Sequence, residues 1–150
     1  MRDSLNDAWQ ELKRADHLIY VSLKYTRTVD VIKHIIQRFI NSFDFLFDAI
    51  LKKNIEDGKI SEIPVQPIRK CLEVKKLYPE DEEVIKGCNY YLYLKKLDKA
   101  EFTRTQEFRR HVTMTALIEG EEVIANIDTT TADYQMLKEL FNYIQNNHLL

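Results

Sequence analysis

The stretch from Thr28 to about Asn54 constrains the fold more than any other part of the chain. If each residue advances about 100° around a helix axis, the apolar side chains of this stretch gather on one side and most of the polar ones on the other. The apolar side carries Ile32, Ile36, Phe39, Phe43, Leu46 and Ile50. This wide aromatic and aliphatic stripe predicts a long helix that is buried along one face, so other elements have to pack against it.

Helical spacing recurs on both sides of the long stretch. Apolar residues at intervals of three and four predict a first helix from about Ser4 to Lys24. Proline can begin a helix but cannot continue its interior, so the prolines at 67 and 79 bracket a third helix from Pro67 to Tyr78. A fourth helix is expected from Glu80 to Leu97, and a further helical stretch is expected to continue through Arg109.

After residue 111, the spacing of apolar residues changes from three or four, typical of a helix, to two, typical of a strand. Between residues 112 and 127, apolar and polar side chains alternate on either side of Glu119-Gly120, a pattern typical of a β-hairpin. We expect the face that packs on the helices to carry Val112, Met114, Val123 and Ala125. A last helix is expected from about Thr131 to Asn146, capped by Thr130 or Thr131.

Together these patterns predict a mostly α protein, an up-and-down helical bundle to which a β-hairpin and a final helix are appended. The length of 150 residues fits a single domain, with the bundle in residues 1–110, the hairpin in 112–127 and the last helix in 131–146. No apolar run approaches the roughly 18 residues of a membrane span, and the first residues lack the apolar core of a signal peptide. We therefore expect a soluble cytoplasmic protein with no membrane segment.

Residues that bind metals or nucleotides are sparse. The four histidines are far apart, and none has a His or Cys neighbour at ligand spacing. Cys71 and Cys88 occupy apolar helical positions, where cysteine packs as a small hydrophobe. The three glycines are isolated from one another, so no phosphate-binding loop is present. These observations predict no metal, no cofactor and no nucleotide-binding loop.

Basic residues are concentrated between Lys86 and Arg110, whereas residues 111–150 carry Lys138 alone against six acidic residues. A local basic zone can attract phosphate even on a mildly acidic protein. Its candidate nucleic-acid-binding residues are Lys95, Lys96, Lys99, Arg109 and Arg110. The alternative is an ordinary solvated helix face that pairs with the acidic C-terminal part.

Arg27 and His34 are separated by six residues and lie within about 20° of each other on a helix. Asp30 lies one turn from His34, and Arg38 extends the row as a solvated side chain. Such a set can act on RNA, because arginine stabilises phosphate charge, histidine can move the proton of a 2′-hydroxyl group, and an acid can orient the imidazole. The alternative is again a solvated helix face.

The same spacing recurs between Arg104 and His111, beside the basic zone. An Arg-x6-His motif in a small helical bundle resembles the HEPN superfamily (higher eukaryotes and prokaryotes nucleotide-binding). The resemblance covers the helical order of residues 1–110 and the two motif copies. It implies a helical dimer in which paired motifs meet at the interface, and a metal-independent ribonuclease activity with Arg27, Asp30 and His34, or Arg104 and His111, as catalytic residues.

Three functions are compatible with these features. The first is a non-enzymatic interaction module that forms a homodimer or docks a protein partner through a helix face or the hairpin edge. The second is a HEPN-like ribonuclease or RNA-binding protein. The third is a nucleic-acid accessory factor that uses the basic zone without catalysis. The fold class alone does not distinguish them.

Overall fold

Helices account for most of the chain in the computed structural model, which describes residues 1–150. Helix α1 (Arg2–His17) continues through a π-helical turn (Leu18–Ser22) and a last helical turn (Leu23–Tyr25). The other elements are α2 (Val29–Glu56), α3 (Pro67–Leu77), α4 (Glu82–Lys99), β1 (Glu101–Thr105), β2 (Thr113–Ile118), β3 (Glu121–Asn126) and α5 (Ile127–His148). The predicted fold class, a helical bundle with a β-hairpin and a final helix, is confirmed.

Helix α2 is the centre of the core, as its two-faced pattern predicts. Thr28 caps its first turn, since the Thr28 hydroxyl accepts a hydrogen bond from the N–H of Val31 at 3.4 Å. The fully buried ring of Phe43 lies 5.6 Å, 5.7 Å and 5.6 Å from the ring centroids of Phe47, Tyr91 and Phe141. These contacts join α2 to α4 and α5 through tilted and edge-on aromatic packing.

Helices α1 and α2 run antiparallel along one side of the core. Lys52 of α2 donates to the hydroxyl of Ser4 at 2.7 Å, and Arg38 meets Glu11 farther along both helices. Ala8 and Ala15 are fully buried on α1. Small side chains at buried helix positions let two helix axes approach closely, so α1 covers α2 over most of its length.

The sheet contains the predicted hairpin and one strand that the sequence analysis did not predict. Strands β2 and β3 pair antiparallel, and the turn between them places Glu119 and Gly120 at φ 51° and 82°, the left-handed backbone of a tight hairpin. Of the residues expected to face the helices, three are buried and the fourth is half-buried: Val112, Met114, Ala125 and Val123.

The helical extension through Arg109 is wrong. Helix α4 ends at Lys99, and Glu101–Thr105 instead forms β1, which pairs antiparallel with β2 so that Phe102 lies opposite Ala116. Four of the five β1 residues are exposed. The strand is therefore held by backbone hydrogen bonds to β2 rather than by an apolar face, and its sequence carries little of the alternation that marks a buried strand.

The last helix begins four residues earlier than predicted. The Asn126 side chain accepts from the N–H of Thr129 at 2.9 Å, and the Thr129 hydroxyl accepts from the N–H of Asn126 at 2.9 Å. This reciprocal capping box starts α5 at Ile127. Thr130 and Thr131, predicted as caps, lie inside the helix and donate to carbonyl groups of the preceding turn. Strand β3 accordingly ends at Asn126 rather than at Ile127.

Buried apolar side chains from all five helices and from the sheet belong to one cluster. The π-helical turn at Leu18–Ser22 interrupts the otherwise regular course of α1. None of the helices combines the length and the hydropathy that a bilayer-spanning segment needs.

Candidate nucleic-acid interface

The two Arg-x6-His segments lie next to each other. Arg104 Nη1 donates to Asp30 Oδ1 at 2.9 Å, and the backbone N–H of Phe108 donates to the carbonyl of Arg27 at 2.6 Å. The first segment lies at the N-terminal end of α2, and the second forms part of β1 and the loop that follows it. Arg27 lies in the connection before α2 rather than on the helix itself, because the helix begins at Val29.

The loop between β1 and β2, residues 106–112, has a strained backbone. Gln106 and Phe108 have φ values of 56° and 66°, a left-handed conformation that is uncommon for residues other than glycine. Hydrogen bonds from Arg109 N–H to Gln106 O and from Val112 N–H to Arg109 O fix the loop, together with the bond from Phe108 to Arg27. Such residues occur in turns and cluster at functional sites.

The strained loop presents an aromatic side chain to solvent. Phe108 is 77% exposed, and the three residues after it, Arg109, Arg110 and His111, are exposed as well. Arg110 pairs with Asp128 at 3.1 Å, whereas Arg109 makes no ion pair. The loop therefore offers an apolar ring with a free cationic side chain immediately beside it.

The predicted catalytic contact between Asp30 and His34 is not formed. The Asp30 carboxylate accepts from Arg104, and His34 is exposed without a side-chain hydrogen bond to Asp30. Arg27 is half-buried, and its Nε is buried without a hydrogen-bond partner. The Arg27 guanidinium thus keeps one unused donor beside the loop.

Two cations flank the ring of Phe102 on β1. The Lys33 Nζ and the Arg104 guanidinium carbon each lie 5.3 Å from the ring centroid, within the range of a cation–π contact. Lys33 also donates to the carbonyl of Asp98 at 2.6 Å. These contacts hold both cations at the junction of α2, α4 and the sheet.

A basic cleft between α1 and α2 was not predicted from the sequence. The cleft has a volume of about 470 Å³ and is lined by Gln10, Lys13, Arg14, His17, Leu18 and Arg38. The spacing of Lys13, Arg14 and His17 on α1 is the signal that could have found it, because these residues share one outer helix face. The π-helical turn begins at Leu18, and such turns occur often at functional sites.

The sequence predicts a solvated Arg38, but in the structure this side chain is ion-paired. Its Nη1 lies 3.0 Å from Oε2 of Glu11, a carboxylate that is only 6% exposed and that also accepts from Arg14 at 2.8 Å. Charged groups this far removed from water have to be paired. Glu11 therefore fixes both arginines at the wall of the cleft.

The predicted basic zone on α4 is partly neutralised. Lys96 pairs with Glu119 at 2.7 Å, in agreement with the alternative that basic side chains meet the acidic C-terminal part. Lys95 is half-buried on α4, and Lys99 is exposed. The five predicted nucleic-acid-binding residues are divided between α4, which carries Lys95, Lys96 and Lys99, and the β1–β2 loop, which carries Arg109 and Arg110.

We call the surface that joins the cleft to the loop the basic stripe. It consists of Lys13, Arg14, His17, Arg38, His34, Arg104, Phe108 and Arg109. Asp30, His34 and Arg38 follow one another at intervals of four along α2, so the stripe extends roughly 12 Å along the helix from Asp30 to Arg38. Three acids lie beside it, and all are paired with arginines: Glu11 with Arg38, and Asp30 and Glu107 with Arg104.

No three His, Cys, Asp or Glu side chains come together in a way that could hold a metal ion. Comparisons with protein-family models, with curated proteins and with solved structures return no match to this chain. The function therefore has to be inferred from the geometry of the chain itself.

Proposed function

We propose that the protein is a non-enzymatic interaction module and that its partner is single-stranded RNA, bound along the basic stripe. The observation that carries this proposal is the strained loop that holds Phe108 in solvent next to Arg109. Proteins that bind single strands combine a basic groove for the phosphates with aromatic rings on which bases stack. The stripe supplies both kinds of group.

The charges of the stripe also favour a polyanion. Arg38 and Arg14 are held by one buried carboxylate, so this group of three retains a net positive charge at the cleft. Arg104 pairs with Asp30 at 2.9 Å and with Glu107 at 3.6 Å, which reduces the repulsion that these two acids exert on a phosphate at the centre of the stripe. Arginine is well suited to phosphate because its planar group offers several donors at once.

Fluorescence anisotropy with a labelled oligouridylate tests the proposal. Phe108→Ala is expected to weaken binding by roughly 5–150-fold, the effect of losing one stacked base. Val65→Ala is the matched control, because Val65 is 90% exposed in the loop before α3 and lies outside the stripe. Arg109→Ala is expected to lower the salt dependence of the logarithm of the affinity by about one unit.

Two results would contradict RNA binding. One is an affinity that is equally weak in the wild type and in Phe108→Ala at low salt. The other is a homodimer that Phe108→Ala converts to a monomer while neither form retains RNA. The second result would assign the exposed ring to a protein interface between two copies of the chain.

A HEPN-like ribonuclease is the second candidate function. The observation that favours it is the ion pair between Arg104 and Asp30, which makes the two Arg-x6-His segments neighbours within one chain. Cleavage of single-stranded RNA in the presence of EDTA would support it if His34→Ala or His111→Ala lowered the rate by about two to four orders of magnitude. Thermal unfolding of both variants checks that they remain folded. We expect no cleavage, because Asp30 does not orient His34.

A further inference from the structure

Cys71 of α3 and Cys88 of α4 face each other in the core. Cys71 Sγ lies 3.5 Å from the carbonyl oxygen of Cys88, and Cys88 Sγ lies 3.7 Å from the carbonyl oxygen of Cys71. The two side chains therefore lie side by side between the helices. The reciprocal contacts place the two cysteines against each other where α3 meets α4, and a disulfide needs such an approach of two cysteines.

The surroundings make the two thiols unequal. The hydrogen bond to Cys88, together with burial, raises the pKa of Cys71 well above its ordinary value. The hydrogen bond from Cys71 lowers the pKa of Cys88 against the effect of burial, and the nearby Lys75 ammonium acts in the same direction. Lys75 is held in place by Asn89, whose Oδ1 accepts from its Nζ at 2.8 Å. A thiolate beside a cation is the reactive form of cysteine.

We propose that Cys71 and Cys88 form an intramolecular disulfide when hydrogen peroxide oxidises the protein. The Cys88 thiolate attacks one peroxide oxygen, the O–O bond breaks, and the departing hydroxide takes a proton to leave as water. Cys88 is then a sulfenic acid. The sulfur of Cys71 attacks the Cys88 sulfur, the S–O bond breaks, and the thiol proton leaves with the hydroxyl group as a second water. The two sulfurs lose two electrons in total, and one peroxide gains them.

Peroxide reaches the pair through local opening of α3. Both thiols are buried in the closed structure, Cys71 at 0% and Cys88 at 1% exposed. Helix α3 has 11 residues, and its outer face leaves Ile68 and Leu72 42% and 48% exposed. A short helix with few buried side chains opens more readily than the long central helix. The disulfide would fasten α3 to α4 and close that opening.

Intact-mass spectrometry tests the proposal. The folded protein is treated with peroxide and then unfolded in the presence of an alkylating agent, and its intact mass is measured. We expect a species that has lost two hydrogens, takes up no alkylating agent and returns to the dithiol with dithiothreitol. Its urea unfolding midpoint is expected to be higher than that of the reduced protein, because the cross-link restricts the unfolded chain.

Single substitutions separate the two roles. In Cys71→Ser, Cys88 is expected to form a sulfenic acid that dimedone traps, with no loss of two hydrogens. In Cys88→Ser, Cys71 is expected to remain a thiol. Lys75→Met is expected to slow disulfide formation several-fold, and Lys76→Met, an exposed neighbour, is the matched control.

Three outcomes would overturn the proposal. The first is a wild-type protein in which both thiols survive peroxide. The second is a sulfinic or sulfonic acid on Cys88 with no disulfide, which would show that Cys71 does not reach it. The third is a disulfide between two chains, visible as a dimer on a non-reducing gel. RNA binding by the basic stripe does not enter any of these measurements.

Discussion

Arg104 and Asp30 lie 74 positions apart in the sequence, yet their side chains meet at 2.9 Å and connect β1 to the first turn of α2. Both side chains are largely exposed, at 43% and 70%. Exposed ion pairs contribute little to the stability of a fold. We therefore expect this pair to hold the neighbouring loop, which carries Phe108, in place rather than to stabilise the whole fold.

Arg104→Ala is expected to loosen that loop. The backbone N–H of Phe108 donates to the carbonyl of Arg27, so its hydrogen-exchange rate reports how firmly the loop is seated. We expect the rate to rise in Arg104→Ala and to stay unchanged in Lys96→Ala, which removes an ion pair of similar exposure at the other end of the sheet. Equal rates in the wild type and in Arg104→Ala would show that the loop is held without the ion pair.

Substitutions along α2 are expected to differ strongly in their effect on the free energy of unfolding. Phe43→Ala and Ile36→Ala remove buried side chains and are expected to cost about 2–5 kcal/mol each. Arg38→Ala leaves the buried Glu11 with one partner and is expected to cost about 1 kcal/mol. Gln37→Ala, an exposed neighbour, is expected to cost less than about 0.5 kcal/mol. Urea unfolding measures all four, and a loss in Gln37→Ala as large as in Phe43→Ala would show that the buried face is misassigned.

Asp81 is expected to make the fold sensitive to acid. Burial raises the pKa of Asp81, but hydrogen bonds from His148, Tyr143 and the backbone of Val84 outweigh it and hold the pKa below its ordinary value. A depressed folded-state pKa gives stability that is present above the unfolded value, about 3.9 for Asp, and lost as the pH falls through the folded value. Asp81→Asn is therefore expected to be less stable at pH 6 and to converge with the wild type in acid.

The unfolding midpoint in urea, followed from about pH 6 to pH 2.5, tests the Asp81 prediction. A difference between Asp81→Asn and the wild type that stays constant over this range would contradict it. Asp44→Asn supplies a control of opposite sign. Burial raises the pKa of Asp44 despite the hydrogen bond from Tyr91, so the folded wild type loses stability relative to the unfolded chain as the pH rises and Asp44 ionises. The stability of Asp44→Asn relative to the wild type is expected to increase as the pH rises toward neutral.

Gly87→Ala is expected to destabilise the crossing of α4 and α5. A methyl group at position 87 would lie 2.7 Å from Cδ2 of Leu140, so that side chain has to move. Alanine is the better helix former by about 1 kcal/mol, which opposes the overpacking cost of about 1–3 kcal/mol. We expect a net loss of stability in Gly87→Ala. The loss is expected to be smaller when Gly87→Ala is introduced into a protein that already carries Leu140→Ala. Additive effects in this double-mutant cycle would mean that Leu140 is not the obstacle.

Burial on one side of an element explains which parts of the fold could be predicted. Helix α2 and the β2–β3 hairpin repeat their apolar residues at the period of their own structure, so their sequences report it directly. Strand β1 is exposed at four of five positions and pairs through its backbone, so it leaves almost no period to detect. Asn126 is the last residue of an alternating strand pattern, so its role as the N-cap of α5 could not be recognised from the sequence.

The site was harder to predict for a different reason. The contact between Arg104 and Asp30 joins exposed charges from distant segments, and no spacing in the sequence relates them. The basic cleft arises where α1 packs on α2, so Lys13 and His17 acquire their neighbour Arg38 only after folding. The Arg-x6-His spacing identified two segments that do meet. Asp30, the predicted partner of His34, is instead paired with Arg104.

Asn126 is both the last residue of β3 and the cap of α5, so no residue is free to adjust the angle between them. One inserted residue would turn α5 by about 100° about its own axis. The edge that carries Leu137 and Phe141 would then point away from Phe43. This junction fixes the rotational phase of the last helix and leaves no tolerance for changes of length. The exposed segment around Lys59, by contrast, is where insertions, peptide tags or new chain termini can be introduced.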